Sequence, residues 1–144
     1  MNEIKCYFKK IHLLLEAGFT RALRSYGLTC TQFDILAYLA QEKDVPHTLT
    51  AISTHFGVKH TSVIHVLKIL EKNGFIYKSA SADARAKTIL LTSHAHQVLA
   101  ELRKNSPLLN EILFAGLSED DLHRLERMLR QIYANLESDA FQNF

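Results

Sequence analysis

The sequence predicts a mainly α-helical fold with one short β-hairpin, and three observations support this. Apolar residues recur at helical spacing through most of the 144 residues. Two prolines and five glycines leave few helix breaks. Between Thr48 and Thr92, two short helical patterns meet at Gly57, and two apolar runs around a loop of small residues follow them. Helix, tight turn, helix and hairpin in this order predict a winged helix-turn-helix.

The first helix is predicted over residues 3–25 and should end at Gly27. Its main apolar stripe consists of Ile4, Phe8, Ile11, Leu15, Phe19 and Ala22. Leu13 lies on the far side of this helix, so we expect more than one face to be buried, as at a dimer interface. Thr29 and Gln32 have the spacing of a capping box for a second helix, which should extend to about residue 42.

The two central helices are predicted at Leu49–Phe56 and His60–Lys72, with Thr48 or Thr50 capping the first and Gly74 ending the second. One narrow face of the longer helix carries Val63, Val66, Leu67 and Leu70, at positions i, i+3, i+4 and i+7. The opposite face carries Thr61, His65, Lys68 and Lys72, which are polar or basic. Such a face can be merely solvated, but within a helix-turn-helix it fits the major groove of DNA.

The hairpin is predicted to run from Gly74 through the loop Ser79–Ala86 to the end of the second apolar run. Arg85 in this loop can reach into a narrow groove of negative potential, and Asp83 can hold its guanidinium in one pose. Alternatively, Asp83 and Arg85 form only a surface ion pair, which contributes little. The loop is flanked by Lys78 and Lys87, which suit phosphate groups.

The C-terminal third is predicted to be helical, beginning with a helix that Thr92 or Ser93 caps. At Ser106 this helix either kinks or gives way to a new helix that Ser106 caps, with proline in its first position. Ser118 and Asp121 should cap the last helix. Its apolar residues alternate steps of three and four: Leu122, Leu125, Leu129, Ile132 and Leu136. This heptad-like seam predicts packing against a partner helix.

Positive charge is concentrated in the middle of the chain, whose net charge overall is only +2. Residues 45–92 hold six Lys or Arg and two Asp or Glu, together with four of the eight histidines. The corresponding counts are six and five in residues 1–44, and five and eight in residues 93–144. A local positive field of this kind favours nucleic-acid binding.

These features together resemble the MarR family of multiple-antibiotic-resistance-type regulators, which are dimeric winged-helix proteins. The order and spacing of short motifs carry the resemblance along nearly the whole chain: Leu28-Thr29, Gln32, Ile35-Leu36, Ile52-Ser53, Phe56-Gly57-Val58, Ser62-Val63, Val66-Leu67, Leu70-Glu71, Gly74-Phe75-Ile76, Asp83-Ala84-Arg85 and Leu91-Thr92. The resemblance implies a single domain over residues 1–144. It places a winged helix-turn-helix DNA-binding lobe at 28–92 and dimerisation helices at 1–27 and 93–144.

The function that the resemblance implies is sequence-specific regulation of transcription, as a repressor that binds an inverted-repeat operator in double-stranded DNA as a homodimer. The expected DNA-binding residues are Lys59, His60, Thr61, Ser62, His65, Lys68, Lys78, Asp83, Arg85 and Lys87. A small phenolic or apolar effector is expected in a crevice between the DNA-binding and dimerisation lobes. The residues that could line it, or instead pack in the core, are His12, Phe19, Tyr26 and Tyr38.

The sequence is also compatible with two alternative functions. Lys9 and Lys10 follow Cys6 at i+3 and i+4, and their charge favours the reactive thiolate, so the chain could instead sense oxidants. Cys6 could equally be an inert thiol at a dimer contact. Some winged helices bind protein instead of DNA, and these should lack salt-dependent binding to nonspecific duplex DNA.

Enzymes, metalloproteins and membrane proteins are not expected. The sequence shows no recognisable Ser-His-Asp order and no glycine-rich phosphate loop. We expect no metal or other cofactor, because His55, His60 and His65 are spaced by five residues and diverge around a helix. No apolar stretch reaches the roughly 18 residues of a membrane helix, and the first five residues do not open a signal peptide. The predicted location is therefore the cytoplasm.

Overall fold

The structure is a computed structural model that describes residues 2–41, 47–79 and 87–143. Its elements in chain order are α1 (Asn2–Arg24), α2 (Cys30–Gln41), α3 (Leu49–Phe56), α4 (His60–Lys72), β1 (Ile76–Ser79), β2 (Thr88–Leu91), α5 (Ser93–Lys104), α6 (Ser106–Leu113), α7 (Glu119–Glu137) and α8 (Asp139–Gln142). The two strands form one antiparallel sheet. A mainly α fold with a two-stranded wing is the class that the sequence predicted.

Local hydrogen bonds fix the turn between α1 and α2. Gly27 has a φ of 66°, which residues with a side chain rarely adopt, so the chain turns directly after α1. The Thr29 N–H donates to Gln32 Oε1 at 3.0 Å, and the Gln32 N–H donates to Thr29 Oγ1 at 3.2 Å. This reciprocal capping box, expected from the sequence, begins α2.

The two helices of the central motif have the bounds that the sequence predicted. Thr48 caps α3, because its hydroxyl accepts a hydrogen bond from the Ala51 N–H at 3.1 Å. Gly57 ends α3 in the left-handed region, with φ 61° and ψ 32°. Only Val58 and Lys59 then separate this glycine from α4. The cap and the glycine together fix the tight turn that orients α4.

A single threonine joins the wing to the helix that follows it. The base of the hairpin pairs Ile76 with Leu91. The Thr92 hydroxyl donates to the carbonyl oxygen of Gly74 at 2.6 Å, which ties the residue after β2 to the turn before β1. The same hydroxyl accepts from the Ala95 N–H at 3.2 Å, so Thr92 also caps α5.

The start of α6 corrects one expectation about Ser106. A new helix does begin there, but Ser106 is its first residue and not its cap. The cap position is occupied by Asn105, whose near-helical angles (φ −89°, ψ −9°) leave no side-chain capping bond. Pro107 lies in the first turn, where its missing N–H removes no helical hydrogen bond. By contrast, Ser118 and Asp121 form the capping box of α7 that the sequence predicted.

Internal contacts divide the chain into two compact units, Met1–Leu102 and Arg103–Phe144. All fifteen buried hydrophobic residues of the described chain lie in the first unit, between Leu23 and Leu99. In the second unit, no described side chain is buried, although α6 and α7 carry apolar stripes. The lobes predicted at 1–27, 28–92 and 93–144 follow different boundaries and stay a prediction.

Candidate nucleic-acid interface

α4 has one face in the core and one face in solvent. Val63, Leu67 and Leu70 are each at most 3% exposed and belong to the core of the first unit. The exposed face carries Thr61, Ser62, His65, Lys68 and Lys72. Because the core holds one face, the polar side chains of the other are presented together on a rigid surface. Ile64 is 38% exposed among them, which adds an apolar group suited to a thymine methyl.

The N-terminus of α4 lacks a side-chain cap. Lys59 occupies the cap position in an extended conformation, and its side chain makes no capping hydrogen bond. Its carbonyl oxygen accepts from the N–H groups of Ser62 and Val63, at 3.1 and 3.3 Å. The positive end of the helix dipole therefore lies beside two exposed side chains that can carry positive charge, those of Lys59 and His60. This combination favours an anion such as a phosphate.

An ion pair that the sequence did not predict joins the wing to α4. Lys78 Nζ lies 2.9 Å from Glu71 Oε2, and both side chains are partly exposed. Lys78 was expected to contact phosphate, whereas here it neutralises the only acidic residue of α4. The two residues are seven apart in sequence, and the turn through Gly74 brings them together. Only the relation between the helix face and the strand register could have revealed this pairing.

A hollow of about 440 Å³ lies between α4, the start of α3 and the wing. Its lining residues are Thr48, Leu49, Thr50, His60, Ile64, Leu67, Lys78, Lys87 and Ile89. Three of the expected DNA-binding residues, His60, Lys78 and Lys87, thus line one concavity. Leu67 and Ile89 at this hollow belong to the core, so the basic side chains surround a tightly packed floor of buried residues.

The structure describes eight of the ten expected DNA-binding residues. All eight are exposed: Lys59, His60, Thr61, Ser62, His65, Lys68, Lys78 and Lys87. Asp83 and Arg85 lie outside the described residues, so their roles at the wing tip stay predictions.

Four rings support the connection between α2, α3 and the wing. Tyr38 stacks on His55 at 4.1 Å between ring centroids, and it also contacts the rings of His47 and Phe56. The His47 carbonyl oxygen accepts from the Ile89 N–H at 2.8 Å, which ties this connection to β2. Neither ring nitrogen of His47 has a hydrogen-bond partner among the described residues. Tyr38 therefore supports the DNA-binding motif.

A second cavity, of about 320 Å³, lies between α1 and α2. Its lining residues are His12, Leu15, Glu16, Phe19, Leu23, Cys30, Thr31, Phe33 and Asp34. Of the four residues expected at an effector crevice, His12 and Phe19 line this cavity, whereas Tyr26 and Tyr38 do not. Tyr26 packs against the core, and burial together with a hydrogen bond to Glu101 raises its pKa. Burial also raises the pKa of the Asp34 carboxyl.

The two cysteines have different surroundings. Cys6 is exposed on α1 as a free thiol. Near it, Lys10 Nζ lies 5.5 Å from the centre of the Tyr7 ring, so this lysine engages an aromatic face. Cys30 is a half-buried free thiol, and its Sγ lies 3.5 Å from Thr20 Oγ1. Cys6 is therefore the more accessible thiol.

Two other kinds of site do not occur in the described ranges. No group of three His, Cys, Asp or Glu residues there is arranged to hold a metal ion. None of the described helices is both long enough and apolar enough to cross a membrane.

Comparison with known proteins agrees with this geometry. The MarR family model matches residues 28–87. The HTH-type transcriptional regulator YwaE of Bacillus subtilis is 31% identical over 124 residues, which cover 83% of this chain and 69% of that protein. The HTH-type transcriptional repressor IacR of Pseudomonas putida is 23% identical over 133 residues, which cover 92% of this chain and 78% of that protein. The similarity thus extends well beyond the central motif.

Solved structures share the fold at lower sequence identity. The MepR–DNA complex of S. aureus matches with a TM-score of 0.81 and 21% identity, over 91% of this chain and 94% of that chain. A MarR protein from Peptoclostridium difficile matches with a TM-score of 0.82 and 16% identity, over 98% of this chain and 92% of that chain. At these identities the likeness establishes the fold alone.

Proposed function

This chain belongs to the MarR family and is a DNA-binding transcriptional regulator. From that premise we propose that it is a homodimeric repressor that binds an inverted-repeat operator and is controlled by a small effector. The proposal includes action in the cytoplasm and no catalytic step, in line with relatives that are transcription regulators.

The exposed face of α4 is the observation that carries the proposal. Thr61, Ser62 and His65 offer hydrogen-bond donors and acceptors on a helix whose other face is anchored in the core. The lysines around them are exposed and suit phosphates: Lys59, Lys68 and Lys87. Direct contacts to base edges would come from the first group, and sequence-independent affinity from the second. At the wing tip, Asp83 and Arg85 would add a contact to the minor groove.

Unburied apolar surface supports the homodimer. Along α7, Leu129 and Leu136 are 42% and 44% exposed. In α6, Leu108 and Ile112 are more than 60% exposed. Side chains of this kind normally lie in an interior or an interface. A two-fold dimer would bury them and would present two α4 helices to successive major grooves.

Repression and effector control are the finer parts of the proposal. One relative that aligns along most of its length, IacR, is itself named a repressor. The cavity between α1 and α2 has the size of a small-molecule site and a largely apolar lining. A ligand there can control DNA binding only if it favours a conformation in which the two α4 helices no longer match the operator.

Selection of bound fragments from the source genome tests the proposal. The purified protein should enrich fragments that share an inverted repeat, with half-sites about one helical turn (10–10.5 base pairs) apart. Thr61→Ala and His65→Ala should enrich a degraded version of the same repeat. Affinity for nonspecific duplex DNA should fall steeply as salt rises. Fragments without a shared motif, together with salt-independent binding, would instead identify a protein-interaction module.

Redox control through Cys6 is a second candidate, because this thiol is free and exposed on α1. If Cys6 is the sensor, peroxide should release operator DNA from the wild type but not from Cys6→Ser. Cys30→Ser serves as the matched control, since it removes the half-buried thiol. Equal release from wild type and Cys6→Ser would exclude a sensing role for Cys6.

A further inference from the structure

Two carboxylates contribute to the otherwise largely apolar lining of the cavity between α1 and α2. Glu16 on α1 and Asp34 on α2 both contribute to it, from the two helices that form its opposite sides. No lysine or arginine is among its described lining residues, and His12 is the only lining group that can carry positive charge. A ligand with a negative charge would therefore meet two carboxylates and no permanent cation. The electrostatics of the cavity favour the opposite charge.

Aromatic and aliphatic groups form the rest of this cavity. Phe19 comes from α1 and Phe33 from α2, and Leu15 and Leu23 add apolar surface. Phenyl rings attract cations through their faces, and the attraction grows where water is excluded. A site that pairs rings with carboxylates suits a molecule with an apolar body and a positively charged end.

We propose that the effector of this protein is an organic cation, an aromatic or lipophilic amine, held between the carboxylates of Glu16 and Asp34. The inference rests on the proposed effector site and names the chemical class that the site takes. It differs from the phenolic ligand that family resemblance implies, because a neutral phenol would leave the charge of both carboxylates uncompensated. The neutral part of the ligand would contact the two phenyl rings.

The surroundings of each carboxylate assign them different roles. Asp34 is exposed at the surface, although partial burial of its carboxyl raises its pKa, and a bound cation would favour the charged carboxylate. Glu16 is more than half exposed, and its Oε2 lies 3.6 Å from His12 Nε2. Because His12 contacts Glu16, it competes with the ligand for this carboxylate. Removal of His12 should therefore strengthen cation binding, whereas removal of either carboxylate should weaken it.

Three naphthalene probes test the charge preference: 1-naphthylmethylammonium, 1-naphthylmethanol and 1-naphthoate. The ammonium and the alcohol are isosteric and differ in charge, and the carboxylate adds a negative charge on the same ring system, so calorimetric titration of the intact chain compares the three charges. We expect the ammonium probe to bind about tenfold more tightly than the alcohol, and the carboxylate probe to bind most weakly. Asp34→Asn and Glu16→Gln should each reduce the preference for the ammonium probe, and His12→Gln should increase it.

Glu3→Gln is the matched control, because it removes the same charge from α1 at a residue that does not line the cavity. Circular dichroism of each variant separates loss of binding from loss of fold. Tighter binding of the alcohol or the carboxylate would overturn the proposal. The proposal would also be overturned if Asp34→Asn and Glu16→Gln both kept the full preference for the ammonium probe.

Operator binding measured with and without the ammonium probe separates this inference from the proposed function. If the probe binds through Asp34 but leaves operator affinity unchanged, the ligand class stands and effector control fails. If operator affinity responds to the carboxylate probe and not to the ammonium probe, effector control stands and the proposed ligand class fails.

Discussion

The two units of the chain differ in how much apolar surface they bury. In Met1–Leu102, apolar side chains of α2 and α4 are buried in one core. Both strands of the wing contribute side chains to the same core. In Arg103–Phe144, the helices carry apolar stripes of comparable length and none of the described side chains is buried. The buried side chains of the first unit lie between Leu23 and Leu99, whereas α1 also exposes apolar side chains, among them Ile4, Tyr7 and Leu14. The second unit carries apolar helical stripes without the burial, which is what half of an interface looks like.

α4 and α7 show the difference at the level of one helix. Both are amphipathic, with apolar residues at steps of three and four. The stripe of α4 ends at Leu70, which is fully buried, whereas that of α7 ends at Leu136, which is 44% exposed. Periodicity therefore predicts that a face will be covered, and not what covers it. For α4 the cover is the chain's own core, and for α7 we propose a second copy of the chain.

Charge placed in the seam of α7 should have the largest effect. Leu125→Asp with Leu129→Asp should abolish the dimer and operator binding, because two unpaired carboxylates would be buried in the interface. Sedimentation at micromolar concentration should give about twice the chain mass of 16.4 kDa for the wild type and the single-chain mass for the variant.

Gln131→Asp with Ala134→Asp adds the same charge to α7 away from the seam, and it should leave the dimer intact. Circular dichroism should show that both double variants keep a helical first unit. If the wild type is a monomer and still binds an inverted repeat tightly, then a second copy of the chain does not cover the apolar face of α7.

Truncation of one leucine in each unit should separate their contributions to stability. Leu70→Ala creates a cavity in the core and should lower the free energy of unfolding by about 2–5 kcal/mol at any protein concentration. Leu136→Ala should lower stability less, and its effect should change with protein concentration because it acts through dimerisation. Thermal melts at two concentrations a hundredfold apart distinguish the two. A concentration-independent effect of Leu136→Ala would place this side chain in a monomer core.

Removal of the Glu71 carboxylate from α4 should show what the ion pair with Lys78 does for DNA binding. Glu71→Gln breaks a partly exposed ion pair, so the free energy of unfolding should fall by less than about 1 kcal/mol. The freed Lys78 should then tighten binding to all DNA sequences and steepen the salt dependence by about one phosphate contact. Glu111→Gln in α6 controls for net charge. Weaker binding of Glu71→Gln to every sequence would show that the pair positions the wing instead.

The pH dependence of stability should show a small effect at Asp34. Burial raises its pKa above the ordinary 3.8, so the folded protein binds this proton more tightly than the unfolded chain. The stabilisation is fully present below pH 3.8 and is lost as pH rises through the folded-state pKa. Asp34→Asn removes this pH-dependent contribution to stability. The free energy of unfolding of the variant, relative to that of the wild type, should therefore increase with pH across that window. Chemical denaturation at several pH values measures it, and an opposite slope would mean that Asp34 has a cationic partner.

Much of the fold could be predicted because its determinants are local. Thr48, Gly57 and Ser118 act through hydrogen bonds or backbone angles within four residues of themselves, and each marks a helix end where the sequence placed it. Asn105 shows the limit of such signals. The sequence allowed either a kink or a cap at Ser106, whereas Asn105 takes the cap position with a near-helical backbone and Ser106 is the first helical residue.

The sites depend on contacts that sequence spacing does not encode. The Lys78–Glu71 pair needs the turn at Gly74 and the register of the wing. The cavity between α1 and α2 gains Asp34 and Phe33 only when the two helices pack, so its acidic character could not be read from α1 alone. The sequence allowed Tyr38 either to line an effector crevice or to pack in the core. Its ring contacts those of His55 and Phe56 in α3 and that of His47, which lies two residues before α3.

We propose that α4 reads base edges while the surrounding lysines hold phosphates. A binding series over single-base variants of the selected operator, at two salt concentrations, distinguishes these two roles. Thr61→Ala and His65→Ala should relax discrimination at particular positions by roughly 1–3 kcal/mol per lost base contact. Lys87→Ala should weaken all sequences alike and reduce the salt slope by about one. If Lys87→Ala alters the half-site consensus while Thr61→Ala and His65→Ala leave it intact, α4 is not the reading element.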